Sequence, residues 1–413
     1  MRSVPLTYDE LAAAINAGVF PCERTWIDFK KRLYPDNPSN GKGRAATSLE
    51  LAKDMASMAV LGGYLVYGVD EDKGKHLFTV DAMPLPVGLH ETVDAVARSR
   101  ITPVLTVAPF LVPDPADTTR GFLVVEIPPS PDAPHMVDGV YWGRSETGKV
   151  RLTDTDVERL ILARSRGAAY LLDAMTATEE ADPAPSSKYC HFYLTAVPAT
   201  GWPDMFAGYA RDRASRQRLR QLSIKLLSEI NRTAGGQQRP PVAFDYMTHD
   251  WRSQKVAAGW LGTWGADLKE DGGRALGVDD DGPVRYLNLG VSAKLSMNNS
   301  VLFVRELTVL FETWDVIRLI TALSGEVGYR GGWLLGVRLV HLGGHMSQVN
   351  DPAMGFVAGA GITWETADYS RTTRATALEI REKPRLVADR LLRQLLRGLG
   401  TEDLLDQPPF GPA

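Results

Sequence analysis

The chain has 413 residues, 44% hydrophobic and 23% charged, so it is long and apolar enough to fold into two globular domains. Its formal net charge of -4 excludes a globally basic protein, so any nucleic-acid site must be a local patch. Two cysteines, Cys22 and Cys190, exclude a disulfide framework and a thiolate-rich zinc site. The first residues include acids and form no long apolar run, so we expect a cytoplasmic protein without a signal peptide or membrane span.

Helical and strand patterns alternate along the first part of the chain. A capping box of Thr7 and Glu10 predicts a helix that ends near Gly18. The segment PCERTWIDFKKRL then alternates apolar and charged residues as a β-strand does. A polar loop is predicted over 34–46, and a second capping box of Thr47 and Glu50 predicts the start of the next helix.

The remaining segments of this half predict a first domain over 1–172 with a compact mixture of helices and strands. GYLVYGVD, HLFTV, VLTVAPFLV, GFLVVEIP and VYWGR are typical of short strands, whereas ETVDAVARSR and TDTDVERLILARSR are typical of helices. The segment ATEEADPAPSSK combines acids, prolines and serines, which predicts a linker over 173–187.

A second α+β domain is predicted over 188–400, followed by a flexible tail over 401–413. YCHFYLTAV and WLLGVRLVHL are typical of strands, and ALGVDDDGPVRYLNLG is typical of a hairpin with a turn at Asp281. RELTVLFETWDVIRLITALSGEV and RLVADRLLRQLLRGL predict helices. The predicted fold class of the whole chain is therefore α+β.

Several segments of the first domain together resemble one known family. ERTWIDFK, LAKDMASMAVLGGYLVYGVDED, GFLVVEIPPSPDAPHMVDGVYWGR and LTDTDVERLILAR occur in the order found in the Schlafen-type AlbA-like domain, AlbA_2. The resemblance covers roughly the first domain, and the second resembles no family with comparable motifs. It implies nucleic-acid binding and, as in some Schlafen proteins, a metal-dependent ribonuclease acting on structured RNA such as tRNA.

The same resemblance implies a metal site made of Glu23, Asp28 and Asp70, with Glu71 and Asp72 as neighbours that could replace Asp70. Magnesium and manganese ions prefer carboxylate oxygens, and such an ion neutralises phosphate oxygens during phosphodiester cleavage. Mg²⁺ or Mn²⁺ is therefore the expected cofactor.

Lys30 lies two residues after Asp28, so both side chains are expected on one face of the strand. A lysine there would stabilise the charge that builds up in the transition state. The alternative explanation is an ordinary solvent-facing strand surface, on which acids and lysines commonly alternate.

The chain departs from the family pattern in several respects, and it has no cysteines to match the zinc-binding residues of animal Schlafens. Asp28 stands where glutamate is usual, and Ala59 and Val60 stand where an Asn-Thr pair is common. One AlbA-like lobe is visible, whereas animal relatives pair two lobes. A homodimer or larger homo-oligomer would restore the pair and is therefore predicted.

Cationic side chains are the predicted nucleic-acid contacts. They are Lys31, Lys42, Arg44, Arg144, Arg213, Arg216 and Arg220. Lys42 and Arg44 lie in the predicted glycine loop, whose amides could also hold a phosphate, with an ordinary solvated turn as the alternative. Arg144 offers a guanidinium fork. The last three arginines fall on one face of a predicted helix, where an ordinary solvated surface is the alternative.

The predicted function is RNA binding with metal-dependent endoribonuclease activity, in stress response or antiphage defence by analogy. The expected partner is RNA such as tRNA, or DNA. One alternative is a non-catalytic nucleic-acid-binding regulator. Another is a sensor whose second domain binds a ligand or a partner.

Overall fold

The computed structural model describes residues 4, 7–19, 26–33, 41–72, 77–145, 148–182, 184–200, 204–210, 217–218, 221, 253–257, 260–264, 274–295, 298–349 and 362–406. The chain divides into two compact units. The first comprises Met1–Ser165 with two short later segments, and the second begins at Arg166.

The helices of the first unit are α1 (Tyr8–Asn16), α2 (Gly41–Met58), α3 (Leu89–Arg100) and the first part of α4 (Asp154–Glu180). Its strands are β1 (Ile27–Lys30), β2 (Gly63–Tyr67), β3 (Val69–Asp72), β4 (Leu77–Val80), β5 (Met83–Pro84), β6 (Ala108–Asp114), β7 (Asp117–Ile127), β8 (Met136–Val137), β9 (Val140–Ser145) and β10 (Gly148–Arg151).

A five-stranded sheet forms the centre of the first unit. Its order is β1-β2-β7-β5, and β6 also pairs with β7. The β1–β2 pair is parallel, with Asp28 opposite Leu65, and the other pairs are antiparallel. Leu65 and Tyr67 face the core containing α2 and α3, whereas Tyr64 and Val66 face the core containing α1. Because both faces are covered, all five residues of β2 are buried.

The second unit contains the remaining elements. Its helices are the rest of α4, α5 (Ala207–Ala210), α6 (Glu306–Val327), α7 (Ala377–Glu382) from Glu379 onward, and α8 (Pro384–Gly398). Its strands are β11 (His191–Pro198), β12 (Ser253–Ala257), β13 (Trp260–Trp264), β14 (Arg274–Asp279), β15 (Val284–Asn288), β16 (Ser292–Leu295), β17 (Asn298–Val304), β18 (Trp333–Val340), β19 (Met346–Ser347) and β20 (Tyr369–Ala375).

An antiparallel seven-stranded sheet organises the second unit, in the order β12-β13-β14-β15-β11-β18-β20. One face packs against α6 and α8 in the largest hydrophobic cluster of the described residues. The other face packs Val197 and Leu334 against Leu171 and Met175 of α4. Helices and strands occur in both units, so the predicted α+β class is confirmed. Within the described part of the chain, no helix has the length and apolar character needed to cross a membrane.

The structure places two boundaries differently from the sequence patterns. Helix α2 begins at Gly41, so the predicted loop over 34–46 is wrong for its last six residues. The glycines suggested a loop, but alanine and leucine, both strong helix formers, dominate the rest of α2. Residues 173–180 belong to α4, although the sequence suggested a linker from 173. Their alanines and glutamates suit a helix, and the Asp182-Pro183 dipeptide disfavours its continuation.

Gly62 links α2 to β2 and has a backbone conformation that favours glycine, with φ of 76°. A Cβ atom at this position would overlap the rigid ring of Pro129. Gly62→Ala should therefore destabilise the first unit by about 2–5 kcal/mol, the sum of the left-handed backbone cost and overpacking. Urea denaturation of the full chain measures the change.

Gly18→Ala is the matched control, because Gly18 also has a positive φ, 65°, but open space around its Cβ position. It should cost about 1–2 kcal/mol from the backbone conformation alone. Equal losses in the two variants would show that the Pro129 contact contributes nothing.

Candidate functional site

Asp28 lies on the face of β1 that is turned toward α2. Its neighbours Ile27 and Phe29 enter the core on the α1 side, so alternation directs Asp28 and Lys30 the other way. That face is covered rather than solvated, and Asp28 is only 2% exposed. The solvent-facing alternative for this carboxylate is therefore wrong.

Both oxygens of Asp28 accept hydrogen bonds from cations. Lys30 Nζ lies 2.8 Å from Oδ1, and Arg144 Nη1 lies 2.8 Å from Oδ2. Arg144 also reaches the Ile27 carbonyl oxygen at 3.4 Å, and its side chain is as deeply buried as that of Asp28. Arg144, predicted as a phosphate contact, is therefore placed as the buried partner of Asp28. A metal ion at Asp28 would have to displace one of these cations.

Asp70 has a different environment from Asp28. Gly68, with φ of 101°, separates β2 from β3, and Asp70 projects from β3 with 42% of its side chain exposed. Its Oδ2 lies 2.6 Å from Lys31 Nζ, and its Oδ1 accepts the Glu71 backbone N–H at 3.1 Å. The hydrogen bond from Lys31 lowers the pKa of Asp70, the opposite of the increase expected from crowded acids.

Several predicted site residues lie outside the described residues. They are Glu23, Arg213, Arg216 and Arg220. Lys42 and Arg44 lie in the first turn of α2, and their side chains are also outside the described set. Arg218, a described neighbour of the arginine cluster, forms an ion pair of 3.0 Å with Glu326.

The predicted metal site is not assembled by the described residues alone. Among them, no group of three or more histidine, cysteine, aspartate or glutamate side chains could hold a metal ion. Asp28 is occupied by two cations and Asp70 by Lys31. The described carboxylates therefore do not fit a Mg²⁺ or Mn²⁺ centre in this arrangement, and we derive no catalytic step through one.

A cavity of about 530 Å³ opens between β1, the end of β2, α2 and β10. We call it the basic cavity. Its charged lining residues are Lys30, Lys31, Arg32, Lys149, Glu50 and Asp54. Four cations and two acids thus share one concave site, which could hold an anion that also carries hydrogen-bond donors.

Residues 23–153 match a family model described as Schlafen, AlbA_2. The first unit contains a Schlafen AlbA_2 domain. The recognition made from the sequence is therefore confirmed, and the family associates this domain with nucleic-acid binding. No curated protein sequence matches the chain.

Two solved structures are similar to parts of the chain. The DIP2311 protein from Corynebacterium diphtheriae shares 16% identity over 34% of this chain and 24% of its own, with a TM-score of 0.23. The N-terminal domain of a putative ATP-dependent DNA helicase RecG-related protein from Nitrosomonas europaea shares 19% identity over 37% of this chain and 92% of its own, with a TM-score of 0.24. The chain thus spans about a quarter of the first relative.

The sequence patterns did not identify four charged site residues of the basic cavity in the AlbA_2 domain, which are Arg32, Glu50, Asp54 and Lys149. Lys149 Nζ lies 2.6 Å from Glu50 Oε2 and 2.7 Å from Asp54 Oδ1. Glu50 was assigned to a capping box, although α2 begins well before it. Asp54 did carry a signal, because it interrupts the apolar stripe of Leu51 and Met58 on the buried side of α2.

Burial sets the electrostatics of the Asp54–Lys149 pair. Asp54 is 4% exposed, and burial raises its pKa, although Lys30 and Lys149 act in the opposite direction. Burial would lower the pKa of Lys149, but Asp54 and Glu50 outweigh it and raise the pKa. We therefore assign a charged lysine that is held between two carboxylates.

His135 braces a turn of the AlbA_2 domain through both of its ring nitrogens. Its Nδ1 lies 2.7 Å from the Pro103 carbonyl oxygen, and its Nε2 lies 2.8 Å from Ser130 Oγ. Burial lowers the pKa of His135, which favours the neutral ring in these two contacts. We assign it a structural role.

Replacing Arg144 with methionine should destabilise the AlbA_2 domain by about 3–5 kcal/mol, because Asp28 would lose its buried guanidinium partner. Asp28→Leu combined with Arg144→Met should recover much of the loss, because no buried charge is then left unpaired. Denaturant-dependent amide exchange at β1 and β9 measures the stability of this region.

Lys31→Met is the matched control, since it breaks the exposed pair with Asp70. Exposed pairs contribute little, so the amide protection of β1 should hardly change. A loss as large as that of Arg144→Met would contradict the role assigned to burial.

Proposed function

We propose that the AlbA_2 domain binds RNA, holding its phosphate backbone at the basic cavity. The observation that carries this proposal is the gathering of Lys30, Lys31, Arg32 and Lys149 on one concave surface of a chain whose net charge is negative. Local cationic clusters are the electrostatic footprint of nucleic-acid binding. The family match supports the same class of ligand.

The cations of the basic cavity are accessible enough to exchange partners. Their side chains are between 26% and 51% exposed, with Lys31 the most exposed and Lys149 the least. The ion pair between Lys31 and Asp70 lies at the surface, where such pairs are weak. A phosphate can therefore compete with Asp70 for Lys31 at little cost.

Replacing Lys31 and Arg32 together with alanine should weaken binding of a structured RNA such as tRNA. It should also lower the slope of log K against log salt by about 0.7–0.9 for each phosphate that the variant no longer contacts. The loss of affinity should be similar for unrelated RNA sequences, because phosphate contacts carry no base information. Titrations at several salt concentrations measure both quantities.

Arg98→Ala with Arg100→Ala is the matched control, because both arginines lie on α3 and neither lines the basic cavity. The control should leave the salt slope close to that of the wild type. Equal losses in the two double variants would contradict binding at the basic cavity.

Cleavage of RNA with Mg²⁺ or Mn²⁺ is a second proposal, made for the same domain. It is supported by the family resemblance of Glu23, Asp28 and Asp70 and by the exposure of Asp70, and it requires that the ion pairs of Asp28 and Asp70 open to admit the metal ion. The biological setting that we propose, stress response or antiphage defence, rests on the same analogy. Homodimer formation is proposed as well, because a second copy would supply a paired lobe.

The cleavage proposal predicts that total tRNA is cut with Mn²⁺ present and not with excess chelator. Asp70→Asn should remove the activity without unfolding the domain, because Asp70 is exposed. Asp94→Asn, on α3, is the control and should cleave like the wild type. Binding without cleavage would leave the non-catalytic regulator as the supported function.

A further inference from the structure

Asp54 has one carboxylate oxygen without a hydrogen-bond donor among the described residues. Its Oδ1 accepts from Lys149 Nζ at 2.7 Å, whereas Oδ2 receives no hydrogen bond from them. The residue is 4% exposed and lines the basic cavity. Asp54 Oδ2 therefore offers an acceptor to a ligand in the basic cavity, and a donor placed there would be favoured because hydrogen bonds to charged groups are the strong ones.

The surroundings of Asp54 restrict what that ligand can be. Lys149 contacts Asp54 directly, and Lys30 lies close enough to lower its pKa by charge. A bare phosphate would be attracted by the lysines but repelled by the carboxylate. The best ligand presents an anionic group to the lysines and a neutral O–H or N–H donor to Asp54, a few ångströms away.

RNA carries these two groups side by side. Its ribose 2′-hydroxyl is a donor that lies next to the 3′-phosphate, and DNA lacks this hydroxyl. The donors of the bases lie farther from the phosphate, beyond the sugar. We propose that Asp54 accepts a hydrogen bond from a ribose 2′-hydroxyl while the cations of the basic cavity hold the adjacent phosphate, so that Asp54 selects RNA over DNA. This inference rests on the proposed binding of nucleic acid at the basic cavity.

The test compares three strands of one sequence, which are RNA, DNA and 2′-fluoro RNA. The fluorinated strand keeps an RNA-like sugar but has no hydroxyl donor. Fluorescence anisotropy with the full-length wild-type chain should show RNA binding about 10- to 100-fold tighter than both other strands, as expected for a hydrogen bond to a charged group.

Two variants distinguish the contribution of the Asp54 acceptor to binding from that of the Lys149 cation. Asp54→Leu keeps the shape of the side chain but removes the acceptor, so the RNA-to-DNA affinity ratio should fall close to one. Lys149→Met removes a cation but keeps Asp54, so affinity for both strands should fall while RNA remains preferred. The strand comparison on the wild type stands even where Asp54→Leu fails to fold.

The outcomes distinguish this inference from the proposed function. Salt-dependent binding of RNA and DNA with equal affinity would leave nucleic-acid binding in place and overturn the role of Asp54. Tight binding of 2′-fluoro RNA would show that sugar shape, not the hydroxyl, is recognised, and would overturn it too. A preference that follows base identity would assign Asp54 to a base donor instead. Failure to bind any strand would overturn both proposals.

Discussion

The buried ion pair between Asp28 and Arg144 is the constraint on which the candidate site depends. It joins β1 of the central sheet to β9 of a separate three-stranded sheet, and Lys30 completes the charge balance at Asp28. Because β10 pairs with β9, this connection also positions β10 and brings Lys149 to α2. One carboxylate in a short strand thus fixes a wall of the basic cavity.

The basic cavity contains side chains of both charges, not cations alone. A purely cationic cavity would attract any polyanion, but Glu50 and Asp54 hold Lys149 in place and reduce the net charge of the site. The attraction of Lys149 offsets part of the cost of burying the carboxylate of Asp54. In the proposal made above, this mixture of charges is also the source of selectivity, since the ligand would meet the carboxylate of Asp54 as well as the lysines.

Local patterns in the sequence predicted most elements, but they did not predict the long-range pairs. Strand β2 follows from its continuous apolar run, and helix α1 begins directly after the predicted cap Thr7, whose hydroxyl donates to Glu10. Thr153 begins α4 through its contacts with Asp156. The partners in the candidate site lie far apart in sequence, 116 residues for Asp28 and Arg144. A single sequence contains no signal for such a pairing, so Arg144 was assigned to phosphate rather than to Asp28.

Asp28 shows that a residue can match a family motif without taking the chemical role that the motif implies. The acid-x4-acid-Phe-Lys pattern, which runs from Glu23 to Lys30, identified the AlbA_2 domain correctly. It did so because the pattern reflects the strand and the residues beside it. The role of each carboxylate depends on its partners. Asp28 is paired with the buried Arg144, whereas Asp70 is partly exposed and pairs with Lys31 at the surface. Asp54, outside the recognised acid motif, is a buried acid that lines the basic cavity. For this domain, recognition of the ligand is therefore better sought in the basic cavity than in the acids of the motif.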